Sequence, residues 1–228
     1  MREIVFDTET TGLDPQNGDR MVEIGCVEMV NRVETGATFH AYFNPQRDMP
    51  AQAEAVHGLS AAFLSDKPLF GALADDLLAF LGDAPLIAHN AAFDFGFLNT
   101  ELANCGREPV SLDRMIDTVA IARRKHPGAK LSLDALCSRY GVDRSHRVKH
   151  GALLDAELLA QVYVELTGGR QIGLALAAEH GTAIGEVRLA ATTAERVFRA
   201  PRPHAATADE LARHQAFIKQ MASPLWSK

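Results

Sequence analysis

The chain has 228 residues, 47% of them apolar and 23% charged, which suits a folded domain with a tail and excludes disordered and fibrous classes. Its longest apolar run, around residues 172–178, is too short for a membrane helix, and the first residues lack the apolar core of a signal peptide. The net charge of −6 is uneven: residues 1–169 carry 24 acids against 15 bases, and residues 170–228 carry 5 acids against 8 bases, so the two parts are expected to meet different partners.

The apolar block Ile4-Val5-Phe6 predicts a central strand over Glu3–Thr8, covered on both faces. Strands are expected over Met21–Val30 and Ala37–Asn44, the second after a turn at Glu34-Thr35-Gly36. Pro50–Val56 reads as a short helix. From Leu69 the period changes: Leu69, Leu73, Leu77, Leu78 and Leu81 predict a helix closed by Gly82. Pro85–His89 is a short strand, and Ala92–Cys105, Ile116–Lys125, Ser132–Tyr140 and Ala152–Thr167 are expected helices. Strands followed by alternating helices and strands predict an α/β mixed sheet flanked by helices. Gly168-Gly169 closes that unit. An Ala/Thr-rich linker follows, and a last helix begins at the Thr207–Glu210 capping box and stops at Pro224. Three cysteines without Cys-x-x-Cys spacing point to a reduced, cytoplasmic protein. Residues 123–149 hold eight Lys/Arg, among them Arg147, against Asp134 and Asp143; this is either a nucleic-acid face or a solvated helical surface.

The chemistry is carried by acids. Asp7 and Glu9, two apart on a strand, share a face, and paired carboxylates repel unless a cation sits between them; an exposed strand end would also accommodate them. Asp94 falls in the first turn of a helix, where it either complements the helix dipole or joins a site. Asp155 lies among Leu153, Leu154, Ala156, Leu158 and Leu159, where an unpartnered acid would be costly. His150 stands at the mouth of the same helix. Hard oxygen donors favour Mg²⁺ or Mn²⁺ over zinc.

Taken together, Asp7-x-Glu9-Thr10-Thr11-Gly12, His89-Asn90-x-x-Phe93-Asp94 and His150-x-x-x-x-Asp155 resemble the motifs of the DEDDh (DnaQ-like) 3′→5′ exonucleases. The resemblance covers residues 1–168. It implies a ribonuclease H-like fold, a mixed five-stranded sheet whose second strand is antiparallel to its neighbours. It also implies two Mg²⁺ or Mn²⁺ held by Asp7, Glu9, Asp94 and Asp155, His150 as general base, and a structural role for Asp117. The Gln52–Leu59 stretch resembles the segment that meets the terminal nucleotide, which makes His57 and Gln52 candidate substrate contacts, with Leu13 and Phe93 packing the base and Asn90 positioning phosphate.

The tail extends the reading. Gln171-Ile172-Gly173-Leu174-Ala175-Leu176 resembles a sliding-clamp-binding motif, with Gln171, Leu174 and Leu176 as its contacts. The end of the chain, through Pro224-Leu225-Trp226, resembles the segment by which replicase proofreading subunits dock on the polymerase III alpha subunit; Leu211, Phe217, Leu225 and Trp226 are the expected contacts. The implied organisation is an exonuclease domain (1–168), a clamp-binding motif and linker (169–206) and a polymerase-binding segment (207–228). The implied partners are single-stranded or mismatched DNA 3′ ends, the alpha subunit, the sliding clamp and a small third core subunit. A free-standing DNA or RNA exonuclease, or a polymerase–clamp bridge without need of chemistry, are the competing readings.

Overall fold

The computed structural model describes residues 1–145, 147, 149–169 and 205–221. The clamp-motif residues Gln171, Leu174 and Leu176, and Pro224, Leu225 and Trp226, lie outside the described residues. The chain divides into two units, Met1–Leu176 and Ala177–Lys228.

The first unit is built on a five-stranded sheet in the order β3-β2-β1-β4-β5. The strands are β1 (Arg2–Thr10), β2 (Met21–Val30), β3 (Val33–Tyr42), β4 (Leu86–Ala88) and β5 (Met115–Asp117). As expected, β2 is antiparallel to both β1 and β3, while β1, β4 and β5 run parallel. The Ile4-Val5-Phe6 block is fully buried because each face of β1 is covered. Ile4 and Phe6 pack under α3 (Phe70–Leu81) and α4 (Ala91–Asn104). Val5 packs under α5 (Thr118–Lys125), α6 (Leu133–Tyr140) and α7 (Ala152–Leu166). Burying each such side chain contributes about 1.5–3 kcal/mol, which anchors β1 as the reference for the site. Two short helices, α1 (Ala51–His57) and α2 (Ala61–Leu64), follow the β2–β3 hairpin.

Three expectations are corrected. The third strand starts at Val33 rather than Ala37, because Asn31 and Arg32 both take positive φ, 52° and 64°, and turn the hairpin in two residues. Gly36, expected in that turn, lies inside β3 with φ 86°. The stretch expected to be helical from Ile116 opens with β5, a strand of three residues paired to β4, too short to show a period; Asp117 then caps α5 by accepting from the Val119 N–H at 2.9 Å. In the second unit, α8 (Ala208–Ile218) begins at the capping box formed by Thr207 and Glu210 but ends at Ile218, well before Pro224.

One contact sets where α7 meets the sheet. Asp7 pairs across the ladder with Gly25, and a Cβ at Gly25 would overlap the backbone of Ala152 and Leu153. The bare glycine therefore lets the first turn of α7 rest on β2, beside Asp7, and delivers Asp155 to the end of β1. Gly25→Ala is expected to destabilise the fold by about 1–3 kcal/mol through overpacking and to lower hydrolysis by roughly 10²-fold through misplacement of Asp155. A thermal melt and a single-strand nuclease assay check this; unchanged values in both would contradict the contact's role.

Candidate active site

Asp7 and Glu9 project from the same face of β1 at its C-terminal end, and Asp155, 3% exposed, comes down from α7 onto that face. Asp94 arrives from α4, over the other face of the sheet. It is 2% exposed, and the Thr8 hydroxyl donates to its Oδ1 at 2.7 Å. With His150 they line a cleft of about 280 Å³. Atoms of Glu9, His150 and Asp155 lie within 4.8 Å of one another. All five catalytic and metal candidates named from the sequence thus meet in one place.

The cleft is electrostatically unfavourable when empty of cations. Burial first, then the neighbouring carboxylates of Asp94, Glu9 and Asp155, hold Asp7 well above the usual carboxylate range. Burial pushes Glu9 up to about 8, with Glu23 the next cause; Glu23 pairs with Glu9 across the ladder, is buried, and binds His40 at 2.7 Å. Burial likewise raises Asp94 to about 7, against the lowering effect of the Thr8 hydrogen bond. Asp155 is balanced by Arg147, whose Nε and Nη2 donate to its two oxygens at 2.5 and 2.6 Å. His150, half exposed, sets Nδ1 3.3 Å from Asp155 Oδ2 and 2.8 Å from Arg147 Nη2. A buried cluster of hard oxygen donors with excess negative charge suits a divalent cation.

A second cavity of about 320 Å³ adjoins the cleft and shares Thr8, Glu9 and Phe93 with it. It brings together Leu13, Gln52, His57 and Phe93, four of the five residues named for substrate. His57 is buried and accepts the Leu59 N–H at Nδ1. The Thr10 backbone lies close to its ring, yet Nε2 has no hydrogen bond of normal geometry, an orphan atom of the kind a ligand satisfies. Asn90 lines neither cavity. It turns the chain into α4 with φ 66°, and its N–H donates to Asp117 at 3.0 Å, so Asp117 holds two chain turns together, as its expected structural role requires.

Several residues of the site were not singled out for it. Thr8 faces away from Asp7 and Glu9 by strand alternation, and only the tertiary fold brings Asp94 to it. Asp134 and Arg147 also line the cleft, and in the sequence Arg147 is one member of a basic run. Its side chain is 9% exposed, whereas Arg123, Arg124, Lys125, Lys130, Arg139, Arg144 and Lys149 are exposed.

The sheet order and the acid-lined cleft at the end of β1 define a nuclease of the DEDDh class. Residues 4–163 match the Exonuclease family (RNase_T). The chain is similar to the DNA polymerase III subunit epsilon of Rickettsia felis, 59% identical over 174 residues that cover 75% of this chain and 76% of that protein. It is also similar to the subunit of that name from Escherichia coli K12, 41% identical over 239 aligned positions, 99% of this chain and 97% of that protein. Among solved structures, exonuclease X in complex with 5′ overhanging duplex DNA aligns with a TM-score of 0.56 at 27% identity, over 72% of this chain and 90% of that chain. The nuclease domain of 3′hExo, a DEDDh family member bound to rAMP, shares the fold, with a TM-score of 0.63 at 17% identity, over 73% and 91% of the two chains. The chain therefore belongs to the exonuclease family and, within it, to the DNA polymerase III epsilon subunits.

The raised carboxylates make a signed prediction. A group whose pKa is raised on folding stabilises the native state below its unfolded pKa, and that stability is lost as pH rises through the folded value. The metal-free protein is therefore expected to lose thermal stability between about pH 4 and pH 8, the span from the ordinary carboxylate range to the values near 7 and 8 at Asp94 and Glu9. Asp94→Asn should flatten part of the slope and Mn²⁺ should flatten more of it. Melting temperatures in chelator that stay level or rise across this span would contradict the assignment.

Proposed function

We propose that the chain is the proofreading exonuclease of a bacterial replicase: it removes mispaired 3′-terminal nucleotides from DNA. The observation that carries this reading is the 41% identity to the E. coli epsilon subunit along 99% of the chain, because it extends beyond the nuclease unit through the tail. Exposed Leu211 and Phe217 on α8, with Leu225 and Trp226 beyond it, are the proposed contacts to the polymerase III alpha subunit. Gln171, Leu174 and Leu176 are the proposed contacts to the sliding clamp, which tethering would make effective even at modest affinity. A small third core subunit would complete the assembly. Among the described residues no helix is long and apolar enough to cross a membrane; the proposed site of work, the cytoplasm, follows from the replicase reading.

Asp7, Glu9, Asp94 and Asp155 would hold two Mg²⁺ or Mn²⁺. When bound there, the cations would supply activation of a water and neutralisation of charge at the leaving oxygen. The chain's own residues do the rest. Leu13 and Phe93 flank the terminal base, and an apolar contact of that kind accepts any base. His57 and Gln52 bind the terminal sugar and fix the 3′ end against Glu9. His150, beside Asp155, takes the proton of the attacking water at whichever ring nitrogen carries no proton. The cavity takes one unpaired nucleotide, so a frayed or mismatched end enters more easily than a paired one.

Two outcomes test this. His150→Ala should lower the hydrolysis rate by roughly 10²–10⁴ while Mn²⁺ binding, read by titration calorimetry, persists; near-normal hydrolysis would remove His150 from the base role. On a primer–template, a mismatched 3′ end should be removed faster than a matched one, and a single strand faster than a matched duplex. Equal rates would leave an exonuclease that does not proofread.

A further inference from the structure

Arg147 is the least exposed member of the basic run, its side chain 9% exposed, and four of its five donors have partners. Nε and Nη2 grip both oxygens of Asp155 at 2.5 and 2.6 Å. Nη1 donates to Asp134 Oδ1 at 2.9 Å, and Nη2 lies 2.8 Å from His150 Nδ1. A two-toothed guanidinium–carboxylate pair of this kind is strong and geometrically specific, and it occupies the chelating edge of Asp155. Asp155 is also one of three residues, with Glu9 and His150, whose possible ligand atoms lie within 4.8 Å of one another. A cation cannot use the chelating edge until the guanidinium leaves.

The arrangement also shows why something must stand there. Asp155 is 3% exposed, and without a partner a carboxylate buried beside Asp7 and Glu9 would be strongly destabilising. Asp134 supplies the other half of the device. It sits in the first turn of α6 with its side chain 47% exposed, and the same oxygen also pairs with Arg144 at 2.9 Å, so its charge is solvated and shared. The guanidinium thus has a buried anion to surrender and an accessible one to keep.

We propose that Arg147 is a built-in stand-in cation: it holds Asp155 and His150 in place while no divalent cation is bound, and it hands Asp155 over when one arrives, staying anchored on Asp134. Arg147 is then a positioning residue, and the metal affinity of the cleft is lower than its carboxylates alone would give. This rests on the reading that the four carboxylates hold divalent cations.

The test is calorimetric titration of the full chain with Mn²⁺ alone, for the wild type, Arg147→Lys and Arg147→Met, alongside melting curves in chelator. Lysine keeps the charge and loses the two-toothed fork, so it separates handover from a general change of charge. Arg147→Lys should bind Mn²⁺ at least about threefold more tightly than the wild type, and Arg147→Met at least about tenfold. Both should melt lower than the wild type without metal and gain more on adding Mn²⁺. An unchanged or weakened affinity in Arg147→Lys overturns the handover, whatever Arg147→Met does, and that decision stands even if the methionine variant fails to fold. A wild type that binds no Mn²⁺ overturns the metal reading itself; a wild type that binds it while Arg147→Lys binds no more tightly overturns this inference alone.

Discussion

Asp7, Glu9, Asp94 and Asp155 crowd into one poorly solvated cleft, and carboxylates in that position cannot all ionise unless positive charge lies between them. The remainder of the site answers that constraint. Protons answer it in part, through the raised affinities of Asp7, Glu9 and Asp94. Arg147 answers it at Asp155 by a bonded guanidinium. An acid cluster maintained at such a disadvantage to the metal-free fold makes sense for a centre whose working state contains divalent cations, and phosphodiester hydrolysis is chemistry that uses them on both the attacking and the leaving oxygen.

The fold converts burial into position. β1 is sealed on both faces by Ile4, Val5 and Phe6, so its C-terminal end is a rigid platform for Asp7 and Glu9. From one side, α7 is let down onto β2 by the bare backbone of Gly25 and brings Asp155. From the other, α4 brings Asp94, held by Thr8. The His150 segment is pinned at its far side too: the His150 N–H reaches the Val56 carbonyl of α1 at 3.4 Å, and a side chain at Gly58 would meet that of Lys149. α1, whose Gln52, Val56 and His57 line the cavity beside the cleft, therefore touches the segment that carries His150.

The site was legible in the sequence to the extent that it is local. Asp7-x-Glu9, Asp94 and the His150–Asp155 spacing are short-range patterns whose side chains follow from strand alternation or helix position, and all five residues meet in the cleft. The apolar block of β1 announced its own burial. Elements whose identity depends on distant partners were less legible. β5 is three residues long and exists because β4 lies beside it. β3 begins early because Asn31 and Arg32 accept positive φ, whereas the glycine that looked like the turn is inside the strand. Arg147 is chemically indistinguishable from its exposed basic neighbours until α6 and α7 bring Asp134 and Asp155 to it. Gly25 gives no signal at all without the helix that rests on it.

The most direct measurement is a crystal structure of the protein soaked with Mn²⁺ and a nucleoside 5′-monophosphate, read by anomalous scattering from manganese. The account predicts two manganese peaks in contact with Asp7, Glu9, Asp94 and Asp155, with the base in the cavity lined by Leu13, His57 and Phe93. Manganese seated away from these four carboxylates, or a cleft that stays free of metal while Arg147 remains on Asp155, would contradict it.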